Sequence, residues 1–306
     1  METVRRLEDL EVGAPSVVTV GVFDGVHVGH QAIMCIVKAD AAELGARAVA
    51  VTFDRDPEEL VNPAKAVPYV TTLHRKVELI AEQDMDLAVV LPLERSLMDM
   101  SAERFVSSVL HEKLSAVQVV VGANFAFGKG RAGNVGLLRK MGRSLGFGVV
   151  EVSPIRVDGI LVSSTAIRRL LAEGKVEKAN VLLGHPFILE GKVVAGGGIG
   201  RSMGYPTANI EPVPEQIVPG GGVYAVSVDV GKAARPGVAN IGIRPTMGGR
   251  GITIEVYIIG FLGDLYGREL AIAFHRRLRD EVRFPDAEAL KLQIARDVEQ
   301  ASRLVV

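Results

Sequence analysis

Two of the chain's six histidines fall three residues apart in one short loop, GVFDGVHVGH, running from Gly21 to His30. A strand-like run, Val17 to Val20, leads into the loop, and a helix is expected to begin near His30. Gly21 permits a tight exit from the strand, while Gly25 and Gly29 let backbone come close to a ligand. A helix N-terminus favours phosphate through its unpaired N–H groups and its dipole. The imidazoles of His27 and His30 could each donate a hydrogen bond to that anion and, if protonated, offset charge developing on it. The plainer reading is that both histidines cap or flank the first helical turn. A zinc site would need a third ligand, and neither an HExxH pattern nor a cysteine pair supplies one.

Three later segments also carry chemistry. VSSTAIRRLL (Val162 to Leu171) places Ser163, Ser164 and Thr165 at a helix start with Arg168 one turn in. Hydroxyls, free N–H groups and a guanidinium could converge there on one anion, although Ser and Thr are also ordinary helix caps. GKVVAGGGIGRSMGYPTANI (Gly191 to Ile210) joins a strand to a glycine-rich loop that includes Gly200, then to Pro206-Thr207-Ala208-Asn209. Taken alone it could be a glycine-rich β-turn. It could also wrap phosphate, with the Thr207 hydroxyl and the Asn209 amide oxygen as hard ligands for Mg2+. No GK[ST] closes the loop, so it is not a Walker motif. Glu255, within ITIEVYII, is a carboxylate among apolar strand residues and could accept a proton, unless it faces solvent on an edge strand.

The elements that must position these residues fall into two textures. At 306 residues, two domains are the default. In the first part, apolar runs (Val17 to Val20, Val49 to Phe53, Leu87 to Leu91, Val117 to Val121, Gly148 to Val152) alternate with helical spacing, as in Gln31 to Leu44 and His74 to Glu82. That alternation predicts an α/β domain with a parallel sheet, whose ligands sit beyond the strands' carboxyl ends, where Gly21, Asp54 and Gly122 should lie. After Leu183, runs at Leu189 to Val194, Val223 to Val230 and Ile252 to Ile259 follow glycine-rich turns without helices, which predicts an antiparallel barrel or sandwich. A C-terminal helix is expected from Asp286, with Leu290, Ile294 and Val298 on one face. The junction falls within Glu173 to Phe187, giving domains 1–183 and 184–306.

With 35 Lys+Arg against 36 Asp+Glu, no overall basic field exists to hold nucleic acid or an anionic membrane, so any anion needs a local site. No apolar run approaches the length of a membrane-spanning helix, and the first fifteen residues lack a signal-peptide core. The single cysteine, Cys35, cannot form an internal disulfide, and a reducing compartment, the cytoplasm, is the simplest reading.

GVFDGVHVGH resembles the HxGH signature of the nucleotidyltransferase superfamily in the extended form of prokaryotic FAD synthetases. VTFDRDP (Val51 to Pro57), VGANFAFGKGRAGN (Val121 to Asn134) and VSSTAIRRLL are similar to later segments of that family, in the same order. The second half resembles riboflavin kinases through the segment ending in PTAN, then GVYAV, GVANIGIRPTMG and LYGREL. The order of the modules is that of bifunctional riboflavin kinase/FAD synthetases. The resemblance implies a Rossmann-like nucleotidyltransferase domain followed by a riboflavin kinase barrel.

It further implies that ATP and Mg2+ phosphorylate riboflavin to FMN, and that FMN is adenylylated to FAD. Gly21, Phe23, Asp24 and Gly29 would form the phosphate loop, His27 and His30 would contact ATP phosphates, and Asn124 would help hold the nucleotide. Ser163, Ser164, Thr165 and Arg168 would grip phosphates from the opposite side. Gly200, Thr207 and Asn209 would bind ATP, the last two also Mg2+, and Glu255 would activate the flavin hydroxyl. Asp56, Tyr257 and Gly260 stand where many relatives carry His, His and Asp, and Asp56 is left out of the catalytic set. FHRRLRDEVRF reads as a solvated helix face, from which Arg279 could reach flavin or nucleotide. Two narrower expectations stay open: a FAD synthetase whose barrel only binds flavin, and a flavin or nucleotide sensor without turnover.

Overall fold

The computed structural model describes residues 1–9, 13–61, 66–196, 200, 204–231, 234–246 and 249–305. Parts of two sequence motifs, residues 197–199 and 201–203 of the glycine-rich loop and 247–248 of GVANIGIRPTMG, lie outside the described residues. The chain divides into two compact units, one of residues 1–67 and 73–163, the other of 68–72 and 164–306.

The first unit is built on strands β1 (Glu2–Val4), β2 (Ser16–Val20), β3 (Arg47–Phe53), β4 (Leu87–Leu91) and β5 (Ala116–Gly122). Two-residue strands β6 (Ala126–Phe127) and β7 (Gly133–Asn134) pair with each other, and β8 (Gly148–Val152) completes the main sheet. The sheet is parallel throughout, in the order β1-β4-β3-β2-β5-β8. A small hairpin, β9 (Arg156–Val157) and β10 (Ile160–Leu161), lies beyond it.

Helices cover both faces of this sheet, so its central strands read as unbroken apolar runs and not as alternation. They are α1 (Val28–Leu44), α2 (Pro57–Val61), α3 (Leu73–Ala81), α4 (Arg95–Met98), α5 (Ala102–Arg104, continuing as a π-helical segment Phe105–Lys113) and α6 (Val135–Leu145). Val17, Ala48 and Ala50 bury with Met34, Val37 and Ala41 of α1 and Leu79 and Ile80 of α3. Val18, Val20, Val49 and Val51 bury with Val106, Val109, Leu110 and Leu138 on the other face. Each buried Val, Leu, Ile or Met side chain among these contributes about 1.5–3 kcal/mol by leaving water. The expected strands are present within a residue or two, and β2, β3 and β5 end where Gly21, Asp54 and Gly122 were expected.

The second unit starts with α7 (Ser164–Ala172) and α8 (Val176–Leu183), so the stretch proposed as a junction contains a helix packed on the barrel. Strands β11 (Phe187–Val194), β12 (Thr207–Pro212), β13 (Gly222–Asp229), β14 (Ala234–Thr246), β15 (Gly249–Ile258) and β16 (Glu269–Arg279) close into a barrel in the order β11-β12-β15-β14-β13-β16. The alternatives of barrel and sandwich thus resolve to an antiparallel barrel. Phe187, Leu189, Val226, Ile254, Val256, Ile272 and Phe274 point inward and are buried.

Residues 68–72 join this unit through Gln216, whose amide donates to the Val70 and Ile188 carbonyls and accepts from the Glu190 N–H. The chain closes with α9 (Ala287–Leu304), capped by Asp286 as expected. FHRRLRDEVRF is not a helix face: its first half is the end of β16, with Phe274 inside the barrel and Arg277 opposite the buried Tyr224, its guanidinium 6.0 Å from that ring's centre. Among the described residues no helix is long and apolar enough to cross a membrane.

Candidate functional site

The loop after β2 is held in a strained form. Phe23 (φ 52°) and Val26 (φ 37°) both adopt left-handed backbone, which a β-branched residue such as Val26 avoids unless its surroundings impose it. A Cβ on Gly21 would stand 2.8 Å from the Phe23 ring, so only glycine lets that ring fold back over the strand exit. There Phe23 meets the edge of His30 at 5.2 Å between centroids.

His27 ends the turn as the N-cap of α1, its Nδ1 accepting from the His30 N–H at 3.3 Å. The two imidazoles stack at 3.6 Å, only 15° from parallel. The plain and the functional readings therefore coincide: capping leaves His27 with Nε2 as its remaining donor. His27 is 6% exposed, and burial lowers its pKa from 6.5 to about 4. Burial, then the charges of His27 and Lys76, hold His30 well below its ordinary value. Both rings are neutral at physiological pH. As neutral rings they carry no resident positive charge, and each has an N–H that could be donated near the positive end of the α1 dipole. The His30 Nδ1 is enclosed and has no hydrogen-bond partner among the described residues.

Asp24 is buried in the same turn. Gly29 lies against the His27 ring, and the Val162 side chain comes to 4.0 Å from where a Gly29 Cβ would stand, which brings the chain just before Ser163 to this loop. Asn124 is exposed just past β5, the neighbour of β2 in the sheet, so it shares the carboxyl-end crevice. Ser163 closes the first unit, while Ser164, Thr165 and Arg168 sit on the first turns of α7 in the second.

Lys76 on α3 was invisible to sequence reading. It is 4% exposed, and its Nζ donates to the carbonyls of Val22 at 3.1 Å and Phe53 at 2.7 Å. Burial lowers its pKa to about 8, against the opposing pull of Asp24, Asp54 and Asp56.

On the barrel, Thr207 pairs with Tyr257, and Asn209 with Glu255, across β12 and β15. Directly opposed residues share a face, so Thr207, Asn209, Glu255 and Tyr257 lie together on the outer surface. Glu255 is half-buried and is not on an edge, because β15 is paired on both sides. Two described glycines lie close against this face: a Cβ on Gly196 would overlap the Asn209 amide at 2.0 Å, and one on Gly200 would meet the Tyr205 carbonyl at 2.3 Å and the Thr207 hydroxyl at 3.3 Å. Beside Thr207 opens a cavity of about 340 Å³ lined by Pro206, Val256, Ile258, Phe261 and Tyr266, among others. Arg279, by contrast, is committed to α9, with its Nε and Nη2 at 3.0 and 2.8 Å from an Asp297 oxygen, and it is not available to a nucleotide in this arrangement.

The family described as FAD synthetase matches residues 10–166, and the riboflavin kinase family matches residues 183–305. A bifunctional riboflavin kinase/FMN adenylyltransferase of Escherichia coli (strain K12) is 37% identical over 300 residues, covering 97% of this chain and 96% of the relative. The enzyme of that name from Pseudomonas fluorescens is 40% identical over 306 residues, covering 99% and 98%. The chain belongs to the bifunctional riboflavin kinase/FMN adenylyltransferase family. A crystal structure from Streptococcus pneumoniae, titled a macrolide-efflux protein, shares the fold over 98% of both chains, with a TM-score of 0.89 at 26% identity.

Within this chain, the departures at 56, 257 and 260 have local settings. Asp56 acts electrostatically on Lys76. Tyr257 packs edge-on against Tyr205 at 5.3 Å. Gly260 takes φ 68° in the turn after β15, and its carbonyl accepts from Arg235.

Proposed function

We propose that the two reactions of the family are divided between the two modules. Riboflavin is phosphorylated by ATP on the barrel of residues 184–306, and the resulting FMN is adenylylated to FAD by the module of residues 1–183, in the cytoplasm. The observation that carries the second step is the stacked pair His27 and His30 at the N-terminus of α1. Two neutral imidazoles, free helix N–H groups and a glycine-supported turn suit a triphosphate.

An FMN phosphate oxygen attacks the α-phosphorus of ATP, the bond to the bridging oxygen breaks, and pyrophosphate leaves. No protein nucleophile is needed, and holding two anions in line supplies most of the rate. In this reading Gly21, Phe23, Asp24 and Gly29 shape the loop, and Asn124 holds the nucleotide. Ser163, Ser164, Thr165 and Arg168 grip phosphate.

On the barrel, Glu255 accepts the proton of the terminal ribityl hydroxyl as that oxygen attacks the γ-phosphorus and ADP leaves. Gly200 belongs to the loop over the ATP phosphates. Thr207 and Asn209 fit Mg2+: both offer hard oxygens from one strand face beside Glu255. Among the described residues no group of three or more His, Cys, Asp or Glu is placed to hold a metal. The ion would therefore take its remaining ligands from phosphate and water, as Mg2+ commonly does. When bound it would neutralise charge on the transferring phosphoryl group.

The test is to incubate the protein with riboflavin, ATP and Mg2+ and separate the flavins by chromatography. FMN followed by FAD is the expected result, and the lack of both overturns the assignment. FAD from added FMN, but none from riboflavin, would reduce the barrel to flavin binding.

A further inference from the structure

A lysine is seldom buried without a reason, since removing its charge from water costs several kcal/mol that partners must offset. Lys76 shares the buried side of α3 with Leu79 and Ile80, where an apolar residue would serve packing better. Its ammonium instead reaches two carbonyls at the ends of adjacent parallel strands. Val22 opens the turn that carries Phe23 and Val26 in left-handed backbone, and Phe53 ends β3. The Thr52 hydroxyl donates to the same Val22 carbonyl at 3.0 Å, so the first residue of the strained turn is fastened twice from β3 and α3.

We propose that Lys76 is a positioning residue of the adenylyltransferase site, its ammonium tying the Val22 and Phe53 carbonyls together and so holding the turn that stacks His27 on His30. This inference rests on reading the N-terminal module as the FMN adenylyltransferase. Lys76 acts through the loop and need not touch ATP. Its charge has a second effect, because the groups that face it are Asp24, Asp54, Asp56 and His30, three carboxylates and a neutral ring. The ammonium balances negative charge beneath a site that must receive a triphosphate. Burial brings Lys76 to about 8, whereas His30 is held well below 6.5. Loss of its proton would leave the carboxylates to repel ATP. The kcat/KM for ATP, which reports the free enzyme, should fall as pH rises through this range.

The experiment measures FAD formation from FMN across pH in the full chain as wild type, Lys76→Met and Lys76→Arg, with FMN formation from riboflavin as the internal control of folding. Lys76→Met should lose about 30–100-fold in kcat/KM for ATP near neutral pH. It should keep FMN formation within about twofold and show no alkaline limb near pH 8. Lys76→Arg should recover part of the rate and stay flat through that range, because its charge does not titrate. A Lys76→Met variant near wild type, or one that keeps the limb, overturns the proposal. If that variant loses both activities, the wild-type profile decides. A limb near pH 8 in FAD formation that FMN formation lacks supports the proposal, and a flat profile overturns it. Wild type making FMN but no FAD overturns the adenylyltransferase reading and this inference with it; wild type making FAD while Lys76→Met matches it overturns this inference alone.

Discussion

His27 uses its Nδ1 lone pair to cap α1 and so offers any ligand a neutral ring with its proton on Nε2. Removing that ring takes away a cap and a donor at once. His27→Ala should slow FAD formation from FMN by about 100-fold or more while FMN formation stays within about twofold, as read by chromatography of the two flavins. The low pKa has a consequence for stability as well. Folded His27 titrates at about 4 against 6.5 when unfolded, so between those values the unfolded chain binds more protons. Stability of the first unit should be full above pH 6.5 and fall as pH drops toward 4, by on the order of 3 kcal/mol from this group, with His30 adding in the same direction. Melting temperatures against pH should therefore have a shallower acid slope in His27→Gln than in wild type; equal slopes would contradict the argument. The histidines and glycines were legible in the sequence because their spacing is itself the signal. Lys76 was not: a lysine in an amphipathic segment reads as exposed, and only the packing of α3 beside the β2 and β3 ends buries it.

At the scale of elements, α9 is fixed to the barrel by charge as well as by apolar contact. Val298 and Ala301 pack on Val223, Ala225 and Val238, and beside them Asp297, 3% exposed, receives Arg279 through two nitrogens and Gln293 through its amide. Asp297→Asn would leave the Arg279 guanidinium without its counter-charge at a mostly buried position. A loss of about 2–4 kcal/mol is expected, below the full value for a buried pair because Arg279 is partly exposed. Riboflavin kinase activity should then vanish at lower urea than in wild type, with FAD formation from added FMN retained to the usual concentration. The same pair explains why the arginine cluster was misread. A run of Arg, Asp and Glu carries no period-2 apolar pattern, so β16 past Phe274 looked like a solvated helix. β12 and β14 escaped for a related reason: Pro206 precedes one, and Pro236 and Pro245 interrupt the other, whereas strand signals depend on runs of apolar residues. The first unit's inner strands β2, β3 and β4, almost wholly buried, had no such ambiguity, whereas the edge strand β1, with Glu2 and Thr3 exposed, was not legible.

For the whole molecule, the two reactions are linked by a product that is also a substrate. Each compact unit has its own buried core, and the two sets of candidate residues, around His27 and around Glu255, use different strands and different chemistry. If FMN passes between sites through solution, one crippled chain should complement another. On the proposed role of Glu255 as the base, Glu255→Gln should form no FMN from riboflavin, yet should still convert added FMN to FAD. His27→Ala should do the reverse and accumulate FMN. An equimolar mixture of the two, given riboflavin, ATP and Mg2+, should make FAD after a lag set by the build-up of free FMN, and raising the His27→Ala component should shorten that lag. FAD production in the mixture requires each unit to work on a different chain from the other. A mixture that makes FMN but never FAD, while Glu255→Gln alone converts added FMN, would mean that FMN made on one chain is not released to another, and the assumption of passage through solution would have to be given up.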